Sequence, residues 1–508
     1  MRLLTSKQAR QIDLETMDKG VSGRVLMGRA GKQIAQAVKE ITAGKHDQHI
    51  CILCGTGNNG GDGFSAALIL AEWGYRITVY SLPDENEIRG DADFYHKCCL
   101  DSKISILYGS KLPLDFPVFQ VVIDALLGTG FKGKLKKKIQ PWVEWANRQK
   151  GKIIAVDIPS GVQADSGKID PTAIRSDLTI SMGYLKVGLT LEPGKTHSGI
   201  KKAVDIGLLK DLSSLEDRKW SLLTESDIRT ILKPINPQTN KSAQGKVLLI
   251  SGSTGKTGAA YLCAAAALRT GAGLTISAAP LSLNSIYENK ITEGMTFTCE
   301  DQEKGRLTFE NFETIIPWLD WCDAVAIGPG LGAADDTMAL VKLIIEKSTK
   351  PVVLDADGLK VLIKYPDILE KTTEEVIITP HYAEFGKISN LPLNKIKDNP
   401  LEMADKYLQD KHQCILVLKN APTCIFWEDT AYISSTGNPG LATAGTGDIL
   451  TGMIAGFLAQ GYIPKEAARL GVYFHGLAAD LAVKSLSQRA MIASDLFNEI
   501  PKMFKHYE

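Results

Sequence analysis

Ile50-Cys51-Ile52-Leu53-Cys54 runs directly into Gly55-Thr56-Gly57-Asn58-Asn59-Gly60-Gly61-Asp62-Gly63, and Phe64 to Trp73 follows at helical spacing. An apolar run, a glycine turn and a helix make the first part of a βαβ unit, with Arg76 to Ser81 as its second strand. Buried parallel strands read as continuous apolar runs, so this stretch predicts an α/β fold with a ligand-facing turn. Val118 to Ile123, Lys152 to Val156 and Leu178 to Met182 are further strand candidates. Before them, residues 5 to 42 alternate at helical spacing, with breaks expected at Gly20, Gly23 and Gly31.

Toward the C-terminus the chain loses this pattern and regains it. Residues 211 to 245 read as a polar, Pro- and Asn-rich junction, with a short helix expected from Thr224-Glu225-Ser226-Asp227. A second α/β series follows. Its strand candidates are Lys246 to Ile250, Leu274 to Ala278, Ala324 to Ile327, Val352 to Leu354, Val376 to Thr379 and Cys414 to Leu418. Thr423 to Phe426 and Ala431 to Ser434 read as a hairpin turning at Glu428-Asp429. The segment from Gly258 to Ala267 is a small-residue helix suited to close packing on a sheet, and from Gly447 onward helices dominate. The expectation is two α/β domains, residues 1–215 and 225–508.

Composition bounds the function. The 508 residues carry 58 basic and 58 acidic side chains, so bulk charge forecasts neither a nucleic-acid nor an acidic-lipid partner. The local exception is Lys132-Gly133-Lys134-Leu135-Lys136-Lys137-Lys138, which is either a solvated loop or a seat for an anion beside Gly128 to Gly130. The nine cysteines have no spacing rule, and Cys51 and Cys54 lie in a strand pattern rather than at a helix start, so buried thiols are expected. Neither a leader-like segment nor a run of membrane-spanning length stands out, and a cytoplasmic protein with no membrane partner is the expectation.

Two glycine loops carry the chemistry. In Gly55 to Gly63, glycines let the backbone approach phosphate, and Asn58 and Asn59 add amide donors and oxygens. Asp124 and Asp157 follow strand candidates, and each precedes a glycine turn, Gly128-Thr129-Gly130 and Ser160-Gly161. Ligands bind at the carboxyl ends of parallel strands, so all three loops are expected to share one crevice. The second loop is Asn438-Pro439-Gly440-Leu441-Ala442-Thr443-Ala444-Gly445-Thr446-Gly447-Asp448. Gly445 to Gly447 would form an anion hole of N–H groups. An aspartate beside that anion would repel it, so the useful role of Asp448 is to take a proton from a hydroxyl attacking a phosphoryl group. Asp355 and Asp357 also end a strand, where they either cap the turn or order magnesium or water.

Gly57 to Gly63, then Val122-Ile123-Asp124-Ala125-Leu126-Leu127-Gly128-Thr129-Gly130, then Ala155-Val156-Asp157-Ile158-Pro159-Ser160-Gly161, resemble the NAD(P)H-hydrate epimerase domain. Gly445 to Asp448 resembles the ribokinase-like superfamily. With Gly252 to Ala259, Ile327 to Gly332, Val353 to Leu359 and Thr379 to Phe385, the second half is similar to the nucleotide-dependent NAD(P)H-hydrate dehydratases. Together the halves resemble the bifunctional NAD(P)H-hydrate repair enzymes of bacteria. The resemblance implies an N-terminal Rossmann-like and a C-terminal ribokinase-like three-layer α/β/α domain. It implies an isomerase acting on R and S hydrates of NADH and NADPH and an ADP-dependent lyase acting on the S form. Carried over, Asn58, Asn59, Gly60, Gly61, Asp62, Gly128, Thr129, Gly130, Phe131, Lys132, Gly133 and Lys134 would hold the epimerase substrate. Asp157 would contact its nicotinamide end and do acid/base work, while Asn59, Asp124 and Ser160 would bind potassium. In the dehydratase half, Ala259, Gly330, His381 and Asp448 would contact the hydrate, with Asp448 as base. Lys419, Asn420, Ala421, Pro422, Thr423, Gly445, Thr446 and Gly447 would hold ADP, accompanied by Mg²⁺. Small molecules are the implied partners, with a homo-oligomer as the implied assembly. Met27-Gly28-Arg29, Lys256, Asn420, Leu441 and Ala444 depart from the family pattern.

Overall fold

A computed structural model describes residues 1–109, 112, 118–215 and 217–508; Glu216 of the expected junction lies outside the described residues. The chain divides into two compact units, Arg2–Trp220 and, apart from Met1, Ser221–Glu508.

In the N-terminal unit the strands of the main sheet are β1 (His49–Cys54), β2 (Arg76–Ser81), β3 (Ser105–Tyr108), β4 (Val121–Ala125), β5 (Lys152–Val156), β6 (Leu178–Met182) and β7 (Ile200–Val204). They form a parallel sheet in the order β3-β2-β1-β4-β5-β6-β7. Alternation along β1 divides the core between its faces. Ile50, Ile52 and Cys54 pack with Leu26, Ala30 and Phe64 from the helices Gly23–Ile41 and Asn58–Glu72. Cys51 and Leu53 face Trp142 and Trp145 of the helix Gln140–Asn147. Both faces are therefore covered, as an all-parallel sheet requires. Each large buried apolar side chain here stabilises the fold by about 1.5–3 kcal/mol.

Two local expectations are corrected. Gly31 lies inside the helix Gly23–Ile41 instead of breaking it, since a Cβ there would stand 2.2 Å from Ser65 Oγ. The second helix begins at Asn58, not at Phe64, so the asparagines and Asp62 are its first turns. A Cβ at Gly60 would lie 2.1 Å from the Gly55 carbonyl oxygen, so glycine there serves close approach within the turn.

The C-terminal unit holds β8 (Lys246–Ile250), β9 (Leu274–Pro280), β10 (Met295–Cys299), β11 (Ala324–Ile327), β12 (Val352–Leu354), β13 (Val376–Ile378), β14 (Cys414–Leu418), β15 (Cys424–Trp427) and β16 (Thr430–Ser434). Their order is β10-β9-β8-β11-β12-β13-β14-β15-β16. The first seven are parallel and the last two add antiparallel as a hairpin, with Glu428 at positive φ in its turn. The alanine-rich helix Thr257–Arg269 packs on the helix Thr446–Ala459 so closely that a Cβ at Gly452 would stand 2.2 Å from Cys263 O. The cysteines are free, and burial pushes the Cys51 and Cys54 thiols well above their ordinary range, which suits inert core groups. Among the described residues no helix is long and apolar enough to cross a membrane.

Candidate active sites

In each run of parallel strands the order reverses beside a central strand, between β1 and β4 and between β8 and β11. Ligand crevices form at such reversals, outside the carboxyl ends of the strands. Each unit has a cavity there.

The N-terminal cavity has a volume of about 860 Å³. It is lined by Gly55 to Asn59, Asp62, Leu126 to Lys132, Lys134, Lys136, Lys138, Asp13 and Asp157. Thus the first two glycine loops and Asp157 line one cavity, with Asn58, Asn59, Asp62, Gly128, Thr129, Gly130, Phe131, Lys132, Lys134 and Asp157 in its wall, while the Ser160-Gly161 turn does not line it. Gly60, Gly61 and Gly133 do not line it; the first two are buried in the opening turns of the helix Asn58–Glu72.

Asp124 and Ser160 sit beneath this wall and are fully buried. The Ser160 hydroxyl and backbone N–H donate to the Asp124 carboxylate at 2.6 and 2.8 Å. Ser160 Oγ accepts from Leu127 N–H at 2.9 Å, and Asn59 Nδ2 donates to Leu127 O at 2.9 Å. One backbone residue therefore ties Asn59 to Ser160. No Lys or Arg pairs with Asp124 among the described residues, and burial raises its carboxyl to about 6 despite those hydrogen bonds.

Asp157 ends β5 at φ 63, a left-handed conformation uncommon for a residue with a Cβ. Its N–H donates to Ile180 O at 2.7 Å, which holds the turn. Met182 N–H donates to Asp157 Oδ1 at 3.0 Å, and the nearly buried Lys186 makes a very short ion pair with the same oxygen. Sequence reasoning missed Lys186, and also Asp13. Asp13 stays accessible from the cavity, yet the protein around it raises its carboxyl to about 6, chiefly by desolvation.

The lysine run is pinned from below. Leu135 and Ile139 are buried, and Leu135 N–H donates to Asp170 at 2.9 Å. Lys132, Lys134, Lys136 and Lys138 stay exposed at the cavity, with no ion pair among the described residues.

The C-terminal cavity, of about 580 Å³, is lined by Lys256, Ala259, Leu262, Gly330, Asp357, Lys360, His381, Lys387, Ala444, Gly445 and Asp448 among others. Ala259, Gly330, His381 and Asp448, drawn from four separate loops and helix starts, therefore line one space. Gly445 turns the chain at φ 90 into the helix Thr446–Ala459, whose first turn carries Asp448. The Thr446 hydroxyl closes the loop by donating to Leu441 O and Thr443 O at 2.9 and 3.0 Å.

Burial raises the Asp448 carboxyl to about 7; Asp355 and Asp357 add to the rise and Lys419 opposes it. Asp355 is 1% exposed, and accepts from Lys419 Nζ at 2.6 Å and from the Thr451 hydroxyl at 2.8 Å. Lys419 also adjoins the Gly445–Gly447 turn, since a Cβ on Gly447 would stand 3.2 Å from its Nζ. Asp357 accepts from Lys256, Lys360 and Gly332 N–H, at 2.8, 2.6 and 3.0 Å. Burial pushes its carboxyl up, but these donors outweigh that and leave it below the ordinary value. Asp355 and Asp357 are thus both held by lysine.

His381 caps the helix Tyr382–Ile388, its Nδ1 accepting from Ala383 N–H and Glu384 N–H at 3.1 Å each. A neutral imidazole in that role carries its proton on Nε2 and can donate it to a ligand. Asn420, Ala421, Pro422 and Thr423 form the turn between β14 and β15 and do not line the cavity. They follow Lys419, which links them to Gly447.

The family model described as NAD(P)H-hydrate dehydratase matches residues 247–502, and one described as YjeF-related protein N-terminus matches residues 23–188. The bifunctional NAD(P)H-hydrate repair enzyme of Moorella thermoacetica is 36% identical over 519 residues, covering 100% of this chain and 97% of that protein. The enzyme of the same description from Escherichia coli is 31% identical over 480 residues, covering 94% of this chain and 89% of that protein. A solved ribokinase-like superfamily protein of Enterococcus faecalis is 26% identical, with a TM-score of 0.50, covering 57% of this chain and 96% of its own.

Proposed function

Since the chain belongs to the bifunctional NAD(P)H-hydrate repair enzymes, we propose that its N-terminal half interconverts the R and S hydrates of NADH and NADPH and its C-terminal half dehydrates the S form using ADP. The observation that carries the reading is the half-buried carboxyl of Asp448, beside the Gly445–Gly447 turn in the wall of a cavity.

The hydrate hydroxyl is a poor leaving group in water. Phosphorylation makes it a good one, and loss of phosphate with a ring proton restores the dihydronicotinamide. With a carboxyl raised to about 7, Asp448 can accept the hydroxyl proton at neutral pH. Gly445, Thr446 and Gly447 would face the transferring phosphoryl group with N–H donors. Lys419 would neutralise the nucleotide phosphates, with Asn420, Ala421, Pro422 and Thr423 beside it. Ala259, Gly330 and His381 would seat the hydrate. Because lysine already holds Asp355 and Asp357, Mg²⁺ arriving with ADP would be held mainly by the phosphates and water, lending charge neutralisation. AMP and phosphate would form in equal amounts with the restored cofactor.

In the N-terminal half, Asn58, Asn59, Gly60, Gly61, Asp62 and Gly128 to Lys134 would hold the dinucleotide, with Asp157 at its nicotinamide end. A buried Asp124 without a cationic side chain, hydrogen-bonded to Ser160 and linked through Leu127 to Asn59, would hold a potassium ion with them. That ion would hold the two loops together. The four unpaired lysines suit the phosphates of the substrate. The test presents pure R and pure S hydrate with and without ADP. Exchange of epimers without ADP and loss of the S form only with ADP are expected; ADP-independent dehydration or no exchange would refute the corresponding half.

A further inference from the structure

The N-terminal cavity holds more acid groups than one acid/base residue requires, and their surroundings differ. Asp157 is fixed through a single oxygen. Met182 N–H, the Ser181 hydroxyl and the Lys186 ammonium all donate to Oδ1, while among the described residues nothing donates to Oδ2. Lys186 is 3% exposed and also donates to Ser181 Oγ, Met182 O and Tyr184 O at 3.2, 3.2 and 3.1 Å. An ammonium so enclosed fixes the aim of Asp157. Asp62 has the opposite setting. It lines the same cavity from the second turn of the helix Asn58–Glu72 and makes no hydrogen bond or ion pair among the described residues.

We propose that Asp62 is the catalytic acid that works opposite Asp157, and that Lys186 is the positioning residue that keeps Asp157 the base. This rests on the epimerase reading above and names how that site exchanges the hydroxyl. The Asp62 carboxyl gives its proton to the hydroxyl oxygen on C6 of the hydrate. The C6–O bond breaks with its electron pair, water departs, and the lone pair of the ring nitrogen forms a C6=N1 iminium cation. Water then adds to the opposite face, forming a new C6–O bond, and its proton passes to Asp157 Oδ2. The enzyme finishes with its proton moved from Asp62 to Asp157; the reverse turnover or exchange with solvent restores it. Nothing is oxidised or reduced.

Several observations fit these roles. The groups that act electrostatically on Asp62 are Asp157, Asp13 and Lys186, and Tyr95 responds to it. Burial, then the charges of Asp157 and Asp13, hold the Asp62 carboxyl well above the ordinary range, the direction an acid needs. Environments that push two carboxyls apart in proton affinity separate an acid from a base. The same negative wall would stabilise the cation between the two steps.

The test uses the full-length protein without ADP, following R and S hydrates by chromatography in H₂¹⁸O. The wild-type protein is expected to put one ¹⁸O into each hydrate molecule that changes configuration. D62N should slow exchange by about 10²-fold or more, and D62E should restore part of the rate. K186Q should lower kcat with little change in KM, while K186R should return kcat toward wild type. Epimerisation by D62N at the wild-type rate, or exchange without ¹⁸O uptake, would overturn the proposal. Absence of exchange in the wild type would instead remove the epimerase reading on which it rests.

Discussion

The two cavities open at the same place in their sheets, yet they present their carboxylates by different means. In the N-terminal half Asp157 ends a strand, on left-handed backbone, and a buried lysine holds one of its oxygens. In the C-terminal half Asp448 stands in the first turn of a helix, half-buried, with Lys419 given to Asp355 instead. A lysine one residue removed lets burial lift the carboxyl toward neutrality. The first arrangement fixes a base in place; the second suits one that gains and loses a proton near pH 7.

The sharpest way to break that contrast is D448N. It should slow dehydration about 10³-fold or more while epimer exchange continues; steady-state rates on each epimer decide. Dehydration near the wild-type rate would remove the assigned base. Next in size is pH. The Asp448 carboxyl is raised to about 7, and a base must be ionised, so dehydration should fall about tenfold per unit below that point. Epimer exchange should not share this limb, and coincident limbs would erase the contrast. G445A tests the backbone. At φ 90, with its new Cβ 2.6 Å from Leu262 Cδ1, it should cost about 1–3 kcal/mol in chemical denaturation of the C-terminal unit. The smallest effect concerns Lys136 and Lys138, since the N-terminal cavity wall carries four unpaired lysines. Replacing both with alanine should raise KM for the NADPH hydrate about threefold to tenfold at low salt, and less at high salt.

Local features were readable in the sequence. Glycine turns after apolar runs announced both crevices, and Asp124, Asp157 and Asp448 stand within a few residues of those turns. The strand β10 was not seen, because Met295-Thr296-Phe297-Thr298-Cys299 lies at a sheet edge and lacks a continuous apolar run. Lys186 escaped for a different reason. Its partner Asp157 is 29 residues away, and Leu185-Lys186-Val187 carries no turn signal. Asp13, on the amphipathic helix Ser6–Asp18, reads as an ordinary solvent-facing acid until the fold places it at the cavity. Likewise, pairing of Asp355 with Lys419 spans 64 residues, so the capping and ligand readings of Asp355 could not be separated from sequence. What escaped is the long-range electrostatics, which depends on which strand ends become neighbours.

The central claim is that two independent crevices divide one repair between them. Its most direct test incubates the purified protein with an equal mixture of R and S hydrates and excess ADP, following the absorbance of the reduced cofactor. Full recovery of both epimers is expected, with one AMP formed per cofactor. Recovery that stops at half, or that proceeds equally well without ADP, would contradict it.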